Sequence, residues 1–102
     1  EYAEIARWLE RNARADDVVM TADPPAFYNA SHRRSIVIPT DSIEAILLAA
    51  QKYNARYLVL QFDHPKPLNE VYRERVPLLG WTRVAEFRDG NNRLVMLFEI
   101  AK

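Results

Sequence analysis

The stretch Arg56-Tyr57-Leu58-Val59-Leu60-Gln61-Phe62 decides the fold of this chain, because its centre is a run of apolar residues too short for a helix. Short apolar runs that are rich in β-branched and aromatic residues are typical of strands buried on both faces, as in a parallel sheet. Two similar runs precede it, Val18-Val19-Met20-Thr21 and Ser35-Ile36-Val37-Ile38-Pro39. We therefore predict three central strands.

Helical patterns flank these strands. They cover about Tyr2 to Ala13, Ala26 to Ser31, Ile43 to Asn54 and Asn69 to Val76. Asp23 precedes two prolines, so we predict that its side chain caps the second helix. In the third helix we predict that Asp41 is the cap, with Glu44 reaching back to it in a capping box.

A hairpin closes the sequence. The stretches Arg83 to Arg88 and Arg93 to Ile100 are predicted strands, and Asp89-Gly90-Asn91-Asn92 between them is a strong turn signal. Strands that alternate with helices predict right-handed parallel units. We therefore predict an α/β fold, a three-layer Rossmann-like sandwich with core strands in the order 2-1-3 and the antiparallel hairpin beside the third strand.

Composition excludes several classes of function. The 102 residues fit one domain. The chain has 14 basic and 14 acidic residues, so it lacks the net positive charge that would attract a nucleic acid. The chain has no cysteine, and its two glycines, Gly80 and Gly90, form no phosphate-binding loop. We predict no catalytic residue, no metal site and no cofactor.

Polar residues that follow the strands are the candidates for ligand binding, because ligands bind at the carboxyl ends of strands in open parallel sheets. The carboxylates could hold a divalent metal or transfer protons, but helix capping and turn formation explain most of them. Arg33, with Arg34 and Lys66, could bind a phosphate, although adjacent arginines in a turn are more often simply solvated. The candidates are Asp23, Tyr28, His32, Arg33, Asp41, Asp63 and His64.

Four segments together resemble a known family. They are Trp8-Leu9-Glu10-Arg11-Asn12, the stretch from Asp16 to Pro24, the stretch from Phe27 to Pro39, and the stretch from Tyr53 to Leu60. This pattern resembles the soluble C-terminal domain of bacterial membrane glycosyltransferases related to the dolichyl-phosphate-mannose protein mannosyltransferases and the aminoarabinose transferases. The hairpin matches only loosely, and His32 stands where such proteins often have glycine.

The resemblance implies a function for the parent protein. Such enzymes take a sugar from a polyprenyl-phosphate donor, and their catalytic acids lie in membrane-proximal loops outside this segment. Residues 1–102 would then be a single soluble α/β domain from the C-terminal end of a membrane protein, itself non-catalytic, on the extracytoplasmic side. Its expected partners are the transmembrane part of the same polypeptide and a glycan or lipid-linked sugar, and no nucleic acid. The start at Glu1, without a helix cap, also suggests an excised fragment.

Two alternatives stay open from the residues alone. The chain could be a stand-alone module that binds a small ligand through the strand-end residues. It could instead be a protein-interaction domain that docks through an exposed edge of the sheet.

Overall fold

The computed structural model describes residues 2–78 and 80–100, and within them the chain forms a mixed α/β fold. Among these residues, one five-stranded sheet is accompanied by four α-helices and a short 3₁₀ turn over Lys66–Leu68. The elements in chain order are α1 (Ala3–Asn12), β1 (Val18–Thr21), α2 (Pro24–Ser31), β2 (Ser35–Val37), α3 (Ile43–Lys52), β3 (Ala55–Leu60), α4 (Asn69–Glu74), β4 (Thr82–Arg88) and β5 (Leu94–Glu99).

The strands lie in the order β2-β1-β3-β5-β4. β1 pairs in parallel with both β2 and β3, so that Met20 lies beside Ile36 on one side and Leu58 on the other. β5 runs antiparallel to β3 and β4, and Leu58 lies opposite Phe98. The predicted order 2-1-3 and the predicted hairpin beside the third strand are therefore confirmed, with β5 as the inner strand.

Two apolar clusters lie on opposite faces of this sheet, because successive side chains of a strand point to opposite sides. Met20, Leu58 and Met96 belong to the cluster that also contains residues of α3 and α4. Their strand neighbours Val19, Val59 and Leu97 belong to the cluster that also contains residues of α1 and α2. The three central strands are apolar on both faces, which explains their unbroken runs of large residues.

The helix caps match the sequence prediction in one case and contradict it in the other. The Asp23 side chain accepts a hydrogen bond of 3.3 Å from the Ala26 N–H and caps α2, as predicted. The prediction for Asp41 is wrong, because Ser42 caps α3 and accepts a 3.1 Å bond from the Ala45 N–H. Ser42 has the extended backbone of a cap residue, whereas Asp41 lies one position too early and is exposed.

Every helix in the described part of the chain is short. None of them is long and apolar enough to cross a membrane.

Candidate functional site

A groove of about 550 Å³ opens at the carboxyl end of the parallel strands. It lies between the start of α1, one side of α2, the segment after β3 and the turn of the hairpin. We call it the carboxyl-end groove. Its polar wall is formed by Tyr2, Asp23, Asn29, Gln61, Asp63, Asp89 and Arg93.

Tyr2 forms the inner end of the groove. Its hydroxyl donates to Gln61 Oε1, just beyond β3, and lies 3.4 Å from Thr21 Oγ1 at the end of β1. Its ring packs edge-on against the buried ring of Phe27, with the centroids 5.3 Å apart. β1 and β3 are the strands between which the direction of strand progression reverses, which is where open α/β sheets bind ligands. Tyr2 therefore occupies the floor of that crevice.

The hairpin turn supplies the best-ordered charge in the groove. One oxygen of Asp89 accepts from the backbone N–H groups of Asn91 and Arg93, at 2.8 and 2.9 Å, and the other accepts from Arg93 Nε at 3.1 Å. The backbone bond from Arg93 is the main cause that lowers the pKa of Asp89, although partial desolvation opposes it. Asp89 is thus ionised at neutral pH and acts only as a hydrogen-bond acceptor.

Arg93 is held from two sides. Besides its bond to Asp89, its guanidinium group lies over the ring of Phe62, 4.4 Å from the centroid. The contact is a cation–π interaction, and it fixes the only arginine that lines the described part of the groove.

The three carboxylates of the groove do not form a metal site. Among residues 2–78 and 80–100, no three histidine or acidic side chains lie close enough to share a metal ion. The groove instead combines acceptors (Asp23, Asp63, Asp89) with two amides and one cation. Such a set can bind a neutral ligand that carries several hydroxyl groups, each of which both donates and accepts.

His64 lies beside the groove and has a structural role. Its Nδ1 lies 2.8 Å from the Gln61 carbonyl oxygen, and its Nε2 lies 2.8 Å from Asn69 Oδ1. Because a carbonyl oxygen can only accept, Nδ1 carries a proton. The ring also packs on Tyr72 at 4.8 Å, so His64 joins the end of β3 to α4.

The structure separates His32 and Arg33 from the other candidates. The sequence analysis placed His32 with Asp23 at the carboxyl ends, but both His32 and Arg33 lie at the opposite, amino end of the strands. Arg33 Nη1 donates to the carbonyl oxygen of Arg14, which precedes β1, and the next residue accepts a backbone bond from Val19. α2 runs back along the sheet, so residues at its end cannot share an edge with residues at its start.

The remaining candidates are also dispersed. Tyr28 lies on the outer side of α2, is 52% exposed and contacts the His32 ring edge-on at 5.8 Å. Asp41 lies outside the carboxyl-end groove, which leaves Asp23 and Asp63 as the predicted residues that line it. Lys66 lies beyond the carboxyl end of β3, so it cannot bind the same phosphate as Arg33.

His32 ends α2 in a left-handed turn. Its φ of 56° and ψ of 30° lie in the left-handed region, and its N–H bonds to the Tyr28 carbonyl oxygen at the end of α2. Glycine adopts this conformation most easily, so a histidine here preserves the turn at some conformational cost.

Sequence reasoning missed five of the polar residues in the groove: Tyr2, Asn29, Gln61, Asp89 and Arg93. For two of them, Asp89 and Arg93, the sequence contained a signal that could have been used. An antiparallel strand beside the third parallel strand must start near that strand's carboxyl end, so the turn before it faces the groove. Tyr2 gave no such signal, because its spacing fits the apolar face of α1.

Comparison of the chain with protein families, with curated proteins and with solved structures finds no match.

Proposed function

We propose that this chain is a non-catalytic, extracytoplasmic domain of a membrane glycosyltransferase that uses a polyprenyl-phosphate sugar donor, and that its carboxyl-end groove binds a glycan or lipid-linked sugar. The family proposal rests on the sequence resemblance. The proposal for sugar binding rests on one structural observation, the polar wall of the groove, which combines carboxylates, amides and one cation. We also propose that the two helix-covered faces make the fold a three-layer, Rossmann-like sandwich.

The chemistry of the groove favours hydroxyl recognition over catalysis. Asp89 is held ionised by its own turn, so it cannot deliver a proton at neutral pH. Its lone pairs, with those of Asp63 and the Gln61 amide, suit the hydroxyl groups of a sugar. A groove of about 550 Å³ lies within the usual range for small-ligand sites.

A titration of the 102-residue chain with mannose, glucose and galactose, followed by amide NMR shifts, tests sugar binding. We expect saturable shifts confined to residues around the groove, with dissociation constants in the millimolar range. Asp63→Asn should weaken binding severalfold. Asp41→Asn removes the same charge from an exposed site outside the groove and should leave binding unchanged. Shifts that never saturate, or equal losses in both variants, would overturn the assignment of the groove.

The membrane proposal has its own test. Sequencing the gene upstream of Glu1 should reveal several apolar runs of about 20 residues, with acidic residues in the first external loop. A start codon directly upstream, with no such runs, would refute the membrane parent while leaving a sugar-binding groove intact.

A stand-alone ligand-binding module is the second candidate. The position of the groove at the switch between β1 and β3 favours it, since this is where open α/β sheets bind ligands irrespective of the parent protein. Saturable sugar binding combined with a short parent gene would select this candidate.

A further inference from the structure

The amino end of the sheet holds a second cavity, of about 540 Å³, that the proposed function does not use. It lies where the end of α1, the Arg14–Asp17 turn, the start of β3 and the end of β5 meet. We call it the amino-end cavity. Its ionisable lining consists of Arg11, Arg14, Asp17, Arg56, Tyr57 and Glu99.

Tyr57 gives this cavity a buried hydrogen-bond donor. The residue is only 4% exposed, its ring packs edge-on against Trp8, and it lines the cavity. Its hydroxyl has no hydrogen-bond partner among the described residues and is not fully enclosed, and the residue lines the cavity. Burial, and then the charges of Glu99 and Asp17, raise the pKa of Tyr57, which keeps the proton on the hydroxyl.

The charges around the cavity leave cations available. Glu99 is paired with Arg56 at 3.0 Å, and the Asp17 carboxylate accepts a 2.9 Å bond from the Arg14 N–H. The guanidinium groups of Arg11 and Arg14 are exposed and have no ion-pair partner among the described residues. Within the described part of the chain, Arg11 and Arg14 therefore remain as unpaired cations beside two acids that are already engaged.

Two hydrogen bonds stabilise the Arg14–Asp17 turn, which forms one wall of the cavity. Arg33 is 9% exposed, and its guanidinium group bonds to the Arg14 carbonyl oxygen from beneath the turn. The Asp17 N–H bonds to the same oxygen at 3.2 Å. The turn is thus ordered before any ligand arrives, which lowers the cost of binding.

We propose that the amino-end cavity binds the phosphate monoester of a small sugar, with Tyr57 and the arginines at positions 11 and 14 holding the phosphate. The planar fork of arginine matches phosphate oxygens, and a protonated phenol adds a directed donor. The volume leaves room for a monosaccharide, whose hydroxyl groups can meet the carboxylates of Asp17 and Glu99. The arginines also offset the negative end of α1.

Amide NMR titrations with inorganic phosphate and with glucose 6-phosphate, at constant ionic strength, test this site. We expect saturable shifts around residues 11–17 and 55–58, and tighter binding of glucose 6-phosphate than of phosphate. Tyr57→Phe keeps the buried ring and should weaken binding by about tenfold or more, since it removes one bond to a charged group. Arg14→Gln should weaken it at least as much. Arg73→Gln changes the same charge on α4 and serves as the control.

The possible outcomes distinguish a specific phosphate-binding site from non-specific attraction of an anion to basic side chains. Binding that Tyr57→Phe and Arg14→Gln weaken, and that Arg73→Gln does not, supports the site. The proposed site is overturned if Arg14→Gln and Arg73→Gln weaken binding equally, or if the shifts do not saturate with either probe. Equal affinity for phosphate and glucose 6-phosphate overturns the sugar part, since the cavity then contributes nothing beyond the phosphate contact. Glucose 6-phosphate also carries sugar hydroxyl groups, so shifts around residues 11–17 and 55–58 report on this cavity, and shifts around Asp23, Asp63 and Asp89 report on the carboxyl-end groove.

Discussion

The two ends of the sheet differ in how they are closed. At the carboxyl end, side chains from distant segments meet across an open groove, and Tyr2, just before α1, reaches both Thr21 and Gln61. At the amino end, a single buried side chain, Arg33, holds one turn by its carbonyl oxygen. The first end depends on long-range packing, whereas the second depends on a directed polar contact.

This difference shows how one sheet can carry two kinds of surface. The carboxyl end gathers acceptors, three of them carboxylates, on its wall. The amino end has more arginines than carboxylates, whereas the carboxyl end has more carboxylates than arginines. The chain as a whole is neutral, so this difference in charge arises from the topology and not from its composition.

The largest expected loss of stability comes from a substitution at the carboxyl end of the sheet. Phe27 is fully buried and supports the ring of Tyr2, so Phe27→Ala leaves a cavity and should lower the free energy of unfolding by about 3–5 kcal/mol. Urea denaturation measures this loss. Tyr28→Ala on the same helix removes a half-exposed ring and should cost far less. Similar losses in both variants would show that Phe27 does not anchor this end.

The next largest expected loss of stability comes from a substitution at the amino end of the sheet. Arg33→Met keeps most of the side-chain volume and removes the bond to the Arg14 carbonyl oxygen, so we expect a loss of about 1.5–3 kcal/mol in the free energy of unfolding. Arg34→Met changes the exposed neighbour and should stay within about 0.5 kcal/mol. If the two substitutions cost the same in urea denaturation, the contact of Arg33 does not hold the turn.

The smallest expected effect is a pH-dependent change in stability at Asp89, in the carboxyl-end groove. The folded-state pKa of Asp89 is lowered, so its ionised form adds stability above the unfolded pKa of about 3.9, and that stability is lost as the pH falls through the folded value. Asp89→Asn should therefore destabilise the chain at pH 7 and make less difference at pH 3, in urea midpoints compared at the two values. A constant gap for Asp89→Asn would contradict the assigned role of the charge.

Local patterns and the rules of parallel sheets predicted most of the fold. The apolar runs at Val18 to Thr21 and at Leu58 to Leu60 lie in the predicted strands, because burial on both faces of a sheet favours such runs. The Asp89-Gly90 turn and the strand order are also confirmed. The cap of α3 was misplaced by one residue, since Asp41 and Ser42 are both good caps and only the backbone conformation chooses between them.

The candidate site was less predictable. Asp23 and Asp63 line the groove as the strand-end rule indicates. His32 and Arg33 were assigned to the same end because they follow β1 in the sequence, but an eight-residue helix carries the chain about 12 Å back across the sheet. The contact of Tyr2 with Gln61 joins residues far apart in the chain, and no local pattern encodes such a pair.

The left-handed turn at His32 has a consequence for how this sequence can change. Among the described residues, the positions with positive φ are His32, Asn54, Arg75, Asn92 and Gly80. At His32 and Arg75, which lack the local bonding of asparagine, the strain is about 1 kcal/mol each. Mutation to glycine would relieve this strain and is thus an unused route to greater stability, so the domain has room to absorb harmful substitutions elsewhere during divergence.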